Sequence, residues 1–381
     1  MLNEETRQQL KKRNLQFVAI LLKKIEEVCP GAVDLIGIGG SFCNGDYHEK
    51  SDLDLMIIAN DKKAKAIDLC FILEDTGHDF YASNWEMYEK KTSYADPYVT
   101  KLVDLDIVYV KNAAALERYI SLQDALVDNM KNGGEKIKKN LQFHYAQAKE
   151  AFSLLKKTKS QKEGYLTYSK ILSKIEFVLY MHNKSYVKRG LKRIPEEIAR
   201  LKKLPEGFMS IYDNAVDFHS LEEATKKAEK MLDLMDDFLK ENGYNISKKR
   251  IKKRPAVEKN PLCADALTGM YEEMFSNYYN KMHHAVDIES KYLSFRALAD
   301  AQAFYEEFAA VYEVEELDFI GKFNPDDLQS NAKTFDDNLT FIAGLYKKFE
   351  KPVCRFESLE DFKRRYLAAE EKSAMQDIDY E

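Results

Sequence analysis

Absences narrow the field before any motif does. No apolar run approaches the roughly 18 residues that a membrane-spanning helix needs, so no transmembrane segment is expected. The opening stretch, residues 1–14, lacks the apolar region of a secretion signal and reads as the polar start of a helix. Cysteine is scarce. The five residues, Cys29, Cys43, Cys70, Cys263 and Cys354, are scattered and odd in number. Their spacing fits neither a zinc site nor a disulfide framework, and a reducing cytoplasm is the expected compartment. A basic excess is also missing. The formal net charge is −6, which argues against a long nucleic-acid partner and suits a cationic or small-molecule substrate. No internal repeat is present.

Hydrophobic residues make up 45% of the 381 and charged residues 32%, enough for a substantial core and, by length, two or three domains. Leu10, Leu15, Val18, Leu21, Leu22 and Ile25 recur at helical spacing and predict a helix over 5–28, stopped by Cys29-Pro30-Gly31. Strands are expected at 33–38 and 53–58. Residues 62–73 read as a helix, 79–82 as a third strand, and 85–90 as a short helix capped by Asn84. The alternation of KLVDLDIVYV predicts a strand over 101–110. After about residue 112 the texture changes: Gly and Pro become rare and strand patterns disappear. Ser220 with Glu223 forms a capping box, and Leu221, Ala224, Ala228, Met231, Leu232, Met235 and Leu239 mark one helical face. Residues 245–261 carry two basic triplets, Lys248-Lys249-Arg250 and Lys252-Lys253-Arg254, and read as a solvated linker. Residues 262–372 are expected to be helical again. Asn324-Pro325-Asp326-Asp327 supplies a cap, a first-turn proline and first-turn acids, and Ser358 with Asp361 starts a last helix. Residues 373–381 read as a frayed tail.

The chemistry concentrates in DLIGIGGSFCNGDYHEKSDLDLMII, residues 34–58. Gly39, Gly40 and Ser41 form a turn whose N–H groups and hydroxyl suit phosphate. Asp52 and Asp54 are two apart, so on an extended strand they share a face while Leu53, Leu55 and Ile57 face a core. Two adjacent acids repel unless a cation lies between them, and Mg²⁺ takes oxygen ligands of this kind. A third acid is offered by the later strand, where Asp104 and Asp106 share a face and either completes the set. Three carboxylates around one or two Mg²⁺ ions align a triphosphate for in-line attack.

GSFCNGDYHEKSDLDL resembles the signature of the polymerase-beta-like nucleotidyltransferase superfamily: Gly-Ser, a loop of about ten residues, then Asp-hydrophobic-Asp-hydrophobic. The small catalytic domain followed by helices is similar to bacterial antibiotic nucleotidyltransferases of the kanamycin, streptomycin and lincosamide types. The resemblance implies an α+β fold, a small N-terminal mixed β-sheet domain followed by all-α regions. The divisions expected are 1–112 catalytic, 113–245 helical bundle, 246–261 basic linker and 262–381 C-terminal helical. It implies catalysis and Mg²⁺ binding by Asp52, Asp54 and Asp104 or Asp106, and nucleotide contacts from Gly40, Ser41 and Asn44. It further implies transfer of an NMP, AMP from ATP first among them, to a hydroxyl of a small molecule such as an aminoglycoside or lincosamide, with antibiotic resistance as the outcome. AMPylation of a protein, nucleotide addition to RNA, and non-catalytic nucleotide binding are the alternatives. Monomer and homodimer both stay open.

Asn44 stands where many members carry Arg, so it can hydrogen-bond a phosphate without supplying charge. Glu176, within the apolar run at 175–180, is a candidate general base, against the plainer reading of a Glu on the bundle's polar face. Lys188, Arg189, Lys192 and Arg193 read either as phosphate contacts or as a solvated junction. His48 reads as an exposed loop histidine. His283 and His284 face different sides of a helix and so make no metal pair. Trp85, Tyr88 and Tyr81 read as core, and Cys43 has no base partner that would make it a nucleophile.

Overall fold

The computed structural model describes residues 4–244 and 258–368. The first helix, α1 (Glu4–Val28), buries Leu10, Phe17, Val18, Leu21 and Ile25. Strand β1 (Val33–Ile38) follows, then the single-turn helix α2 (Gly40–Asn44) and β2 (Leu55–Ala59). β1 and β2 are antiparallel, with Ile38 opposite Leu55, and the Gly39 N–H donates to the Asp54 carbonyl at 2.9 Å as the last rung. A hairpin, β3 (Leu69–Leu73) and β4 (Thr76–Phe80), leads to β5 (Ala82–Asn84) and α3 (Trp85–Lys91). Asn84 caps α3 as expected, its side chain accepting from the Met87 N–H at 3.0 Å. A helical turn, α4 (Thr100–Val103), precedes β6 (Asp106–Val110). The main sheet runs β5-β2-β1-β6.

The period-two pattern of β1 and β2 builds two cores. Ile36, Ile38, Leu53, Leu55 and Ile57 pack with Phe17, Leu21 and Ile25 of α1. Leu35, Met56 and Ile58 point the other way, into a larger core shared with the helices that follow. Asp52 and Asp54 alternate with Leu53 and Leu55, so their carboxylates lie on the side of the helical region.

That region comprises α5 (Ala113–Asn132), α6 (Gly134–Leu155), α7 (Gln161–His182), the short α8 (Ile194–Ala199) and α9 (Phe208–Tyr212), and α10 (Leu221–Glu241). The capping box at Ser220 forms: its hydroxyl accepts from Glu223 N–H at 3.2 Å, and the Glu223 carboxylate accepts from His219 N–H at 2.7 Å. Beyond residue 258 come α11 (Met270–Met274), a π-type turn at 275–279, α12 (Asn280–Asp287), α13 (Lys291–Val311) and α14 (Leu328–Lys348). Among the described residues no helix is long and apolar enough to cross a membrane.

Several expectations need correcting. Residues 62–73 are a 3₁₀ turn (Lys62–Ile67) and then β3, because Leu69–Leu73 is an unbroken apolar run buried in a sheet. Residues 101–110 are not one strand. The turn α4 replaces its first half because Tyr119 and Gln123 of α5 both donate to the Leu102 carbonyl at 3.0 Å, capping a helical turn from outside. Asn324 does not cap α14; Asp327 does, accepting from Ser330 N–H at 2.9 Å, while Asn324 holds a turn through Asp326 N–H at 3.0 Å. The far end of the chain is not wholly helical. A strand β7 (Arg355–Phe356) pairs parallel with β3, forming a second sheet β4-β3-β7. The last helix, α15 (Leu359–Ala368), begins at Ser358 as expected, and its Phe362 stacks on Phe71 at 4.6 Å and packs edge-on against Phe17 at 5.3 Å. The C-terminal segment therefore seals the core of the N-terminal unit. The basic triplets and the expected frayed tail lie outside the described residues.

Candidate active site

The Gly39–Ser41 turn joins β1 to α2 and abuts the entrance to β2. Gly40 has φ +62, and a Cβ there would collide with the Asp54 carboxylate, so only glycine lets that carboxylate lie against the turn. The Ser41 Oγ is buried and has no hydrogen-bond partner among the described residues. A buried hydroxyl in that state destabilises the fold, and a ligand oxygen would satisfy it.

Asp52 and Asp54 face the same side, and the charge of a third acid, Asp79, bears on Asp52. Burial pushes Asp52 up to about 7, with the charges of Asp54 and then Asp79 adding to the rise. Asp79, on β4, is likewise raised by burial and by Asp54. Two ammonium groups face this cluster. Lys281 of α12 acts on both Asp52 and Asp79; Lys101 of α4 sits among Asp54, Asp79 and Tyr88, which raise it against the opposing effect of its own burial. The signal for Asp79 was present in the alternation of Thr76, His78 and Phe80, all buried, which turns Asp79 to the opposite face.

Asp104 and Asp106 sit elsewhere. Asp106 pairs with Ile38, which pairs with Leu55, so Asp106 lies on the sheet face opposite to Asp54. Asp104 ends the turn α4 and accepts from the Tyr186 hydroxyl at 2.9 Å. Both line a cleft of about 400 Å³ with Asn44, Tyr186, Lys188 and Arg189. Their expected common face depended on a continuous strand, which α4 interrupts.

The loop after the turn is clamped to the helical region. Asn44 donates to the Lys188 carbonyl at 3.0 Å and accepts from Asp46 N–H at 3.2 Å. Arg193 grips the Asp46 carboxylate with two bonds, 2.9 and 3.0 Å, and Lys192 donates to the Asp46 carbonyl at 2.7 Å. Arg189 faces Glu196 at 3.3 Å and Glu197 at 3.5 Å. Arg189, Lys192 and Arg193 are thus engaged in ion pairs within the chain. His48 is half-buried, not exposed. It stacks on His284 at 4.6 Å, and burial, then the neighbouring His284 and Lys192, push it down to about 4. His283 turns away to Asp336 at 2.9 Å.

Glu176 is on neither a polar face nor a reactive surface. It is fully buried in α7 and accepts from Tyr212 at 2.8 Å, Tyr292 at 2.6 Å and Arg296 at 2.8 Å. With both oxygens bonded in the interior, it ties the bundle to α13. Cys43 donates its thiol to the Ile38 carbonyl at 2.9 Å, and burial raises it. Trp85 and Tyr88 are core residues, as expected.

Asp52, Asp54 and Asp79 offer the hard oxygen ligands that a divalent cation takes; burial and then neighbouring carboxylate charge raise Asp52 and Asp79, and the unpartnered Ser41 hydroxyl suits phosphate. Among the described residues, the one group of three metal-ligating side chains with ligand atoms all within 4.8 Å of one another is the exposed grouping of Asp217, His219 and Asp326. There the Lys291 ammonium already lies 3.0 Å from Asp217 and 3.1 Å from Asp326, and supplies the positive charge.

A nucleotidyltransferase-like protein from Exiguobacterium sibiricum 255-15 is similar to the chain at 12% identity and a TM-score of 0.35, with 57% of this chain and 74% of that chain covered. No curated protein matches. The model of the nucleotidyltransferase domain family matches residues 19–240, more than half of the 381, from α1 through the Gly-Ser turn, the carboxylates and the helices to α10. The chain belongs to the nucleotidyltransferase domain family.

Proposed function

We propose that the protein transfers an NMP, AMP from ATP in the first instance, to a hydroxyl of a small molecule, with aminoglycosides and lincosamides the first acceptors to examine. The Asp54 carboxylate lying against Gly40, two residues on from Asp52 and beside the unpartnered Ser41 hydroxyl, carries this reading. Asp52 and Asp54, with Asp79 as third carboxylate, would hold Mg²⁺, which when bound neutralises charge on the α-phosphate and the leaving pyrophosphate. Ser41 donates its unpartnered hydroxyl to a phosphate oxygen. The Lys101 and Lys281 ammonium groups attract the polyphosphate into a cleft otherwise lined by acids. Asp104 and Asp106 stand outside the reacting set in this reading, and Asn44 serves the loop that carries the turn.

The experiment is incubation of the full chain with Mg²⁺, each α-labelled NTP and a panel of aminoglycosides, lincosamides and other hydroxylated amines. The expected result is label on an acceptor, pyrophosphate release in equal amount, and ATP as the preferred donor. Absence of transfer from every NTP to every acceptor contradicts the small-molecule reading.

A further inference from the structure

Two residues distant in the chain hold the backbone on either side of Asp52. Arg13 of α1 donates from Nη2 to the Ser51 carbonyl at 2.8 Å. His78 of β4 accepts the Leu53 N–H on Nδ1 at 3.3 Å. Regular β2 begins only at Leu55, so Ser51, Asp52 and Leu53 lie before its ladder with Asp52 bracketed between the two bonds. The His78 ring is fully buried between Phe17 at 5.0 Å and Phe71 at 5.4 Å, which sets its orientation. His78 and Asp79 are consecutive on β4. One strand thus sends a support for Asp52 into the α1 core and a carboxylate toward Asp54 on the other face.

A core built for stability alone would not use these groups. His78 Nε2, Arg13 Nε and Asn14 Nδ2 are buried without a hydrogen-bond partner among the described residues, and each such atom opposes folding. A phenylalanine would fill the place of His78 among Phe17, Phe71 and Phe80 with no polar atom to satisfy. The cost persists because the two bonds fix a backbone that carries a function.

We propose that Arg13 and His78 are positioning residues that hold Ser51–Leu53 so that the Asp52 carboxylate stays beside Asp54 for a divalent cation. This rests on the reading of Asp52 and Asp54 as cation ligands. Neither residue touches the cation or the substrate; both act through the backbone of Asp52.

Mn²⁺ binding to the full chain without nucleotide, followed by the EPR signal of free Mn²⁺, tests it alongside the melting temperature. His78→Phe removes the acceptor and keeps the ring. It is expected to melt within about 5 °C of wild type and to bind Mn²⁺ roughly tenfold or more weakly. His78→Asn keeps an acceptor oxygen at the position of Nδ1 and loses ring packing. It is expected to melt lower than His78→Phe and to bind Mn²⁺ more tightly. Arg13→Met loses the grip on Ser51, a longer bond to Asn14 and a positive charge acting on Asp52; it is expected to weaken Mn²⁺ about tenfold although loss of that charge alone favours a cation, and it stands as an independent variant. The crossing of the two rank orders is the signature of positioning. Mn²⁺ affinity that follows melting temperature across the variants, or that is unchanged in His78→Phe and Arg13→Met, overturns the inference while leaving the cation site in place. A wild-type chain that binds no Mn²⁺ overturns the reading beneath it and the inference together.

Discussion

The Asp52–Asp54 pair and the Asp104–Asp106 pair differ in what surrounds them. Asp104 is served by the Tyr186 hydroxyl, and Asp106 is an exposed residue on an edge strand. Asp52 is raised by burial and then by the charges of Asp54 and Asp79. A carboxylate that is bonded or solvated contributes to the fold and asks for nothing more. A buried carboxylate that faces the charge of other acids opposes folding when ionised, and a bound cation removes that cost. That difference is the ground for the proposal of Asp79 as third acid, where sequence spacing alone left it open between Asp104 and Asp106.

The largest expected effect separates the two pairs outright. Asp52→Asn and Asp54→Asn should each slow transfer about 10³-fold, roughly 4 kcal/mol of transition-state stabilisation. Asp104→Asn and Asp106→Asn should stay within about threefold of wild type under the same assay. Equal losses in both pairs would break the comparison. Next, Gly40→Ala forces a Cβ into the Asp54 carboxylate at φ +62, and transfer should fall on the order of 10²-fold by displacing a reacting group. The matched change Gly45→Ala, at φ +73 but in open space, should cost about 1 kcal/mol of stability and little activity.

A pH series sharpens the electrostatic half. Asp52 is raised from 3.8 to about 7 in the folded chain, so the folded state binds that proton more tightly than the unfolded state. Stability contributed by the bound proton is present at low pH and is lost as pH rises from about 4 through 7. The metal-free melting temperature should therefore decline across that window, decline less in Asp52→Asn, and recover by a few degrees when Mg²⁺ is added at pH 7. The smallest effect is expected from Tyr186→Phe, which removes the donor to Asp104. It should cost about 1 kcal/mol in chemical denaturation and leave transfer unchanged.

Much of this arrangement was legible in the residue order, and the rest was not for identifiable reasons. The division of Asp52 and Asp54 from Leu53, Leu55 and Ile57 is a period-two property of five consecutive positions, and the two cores follow it. Caps at Asn84, Ser220 and Ser358 are equally local, each a side chain answering an N–H three residues on. Asp79 was hidden because its role depends on folding the β3–β4 hairpin, and β3 is an apolar run without alternation that reads as easily as helix. The split of residues 101–110 was hidden because the helical turn is held by Tyr119 and Gln123, which reach it only in the folded chain. Glu176 looked like a stray acid in an apolar run; its partners Tyr212, Tyr292 and Arg296 lie 36 to 120 residues away.

The central claim is that the cation belongs to Asp52, Asp54 and Asp79. Crystals of the full chain soaked with Mn²⁺ and a non-hydrolysable ATP analogue, measured at the manganese absorption edge, give the position of the metal directly. An anomalous peak within coordination distance of Asp52 and Asp54, with Asp79 as the third acid and the Ser41 hydroxyl on a phosphate, is the predicted result. A peak in the cleft of Asp104 and Asp106, with Asp52 and Asp54 left unligated, would contradict it.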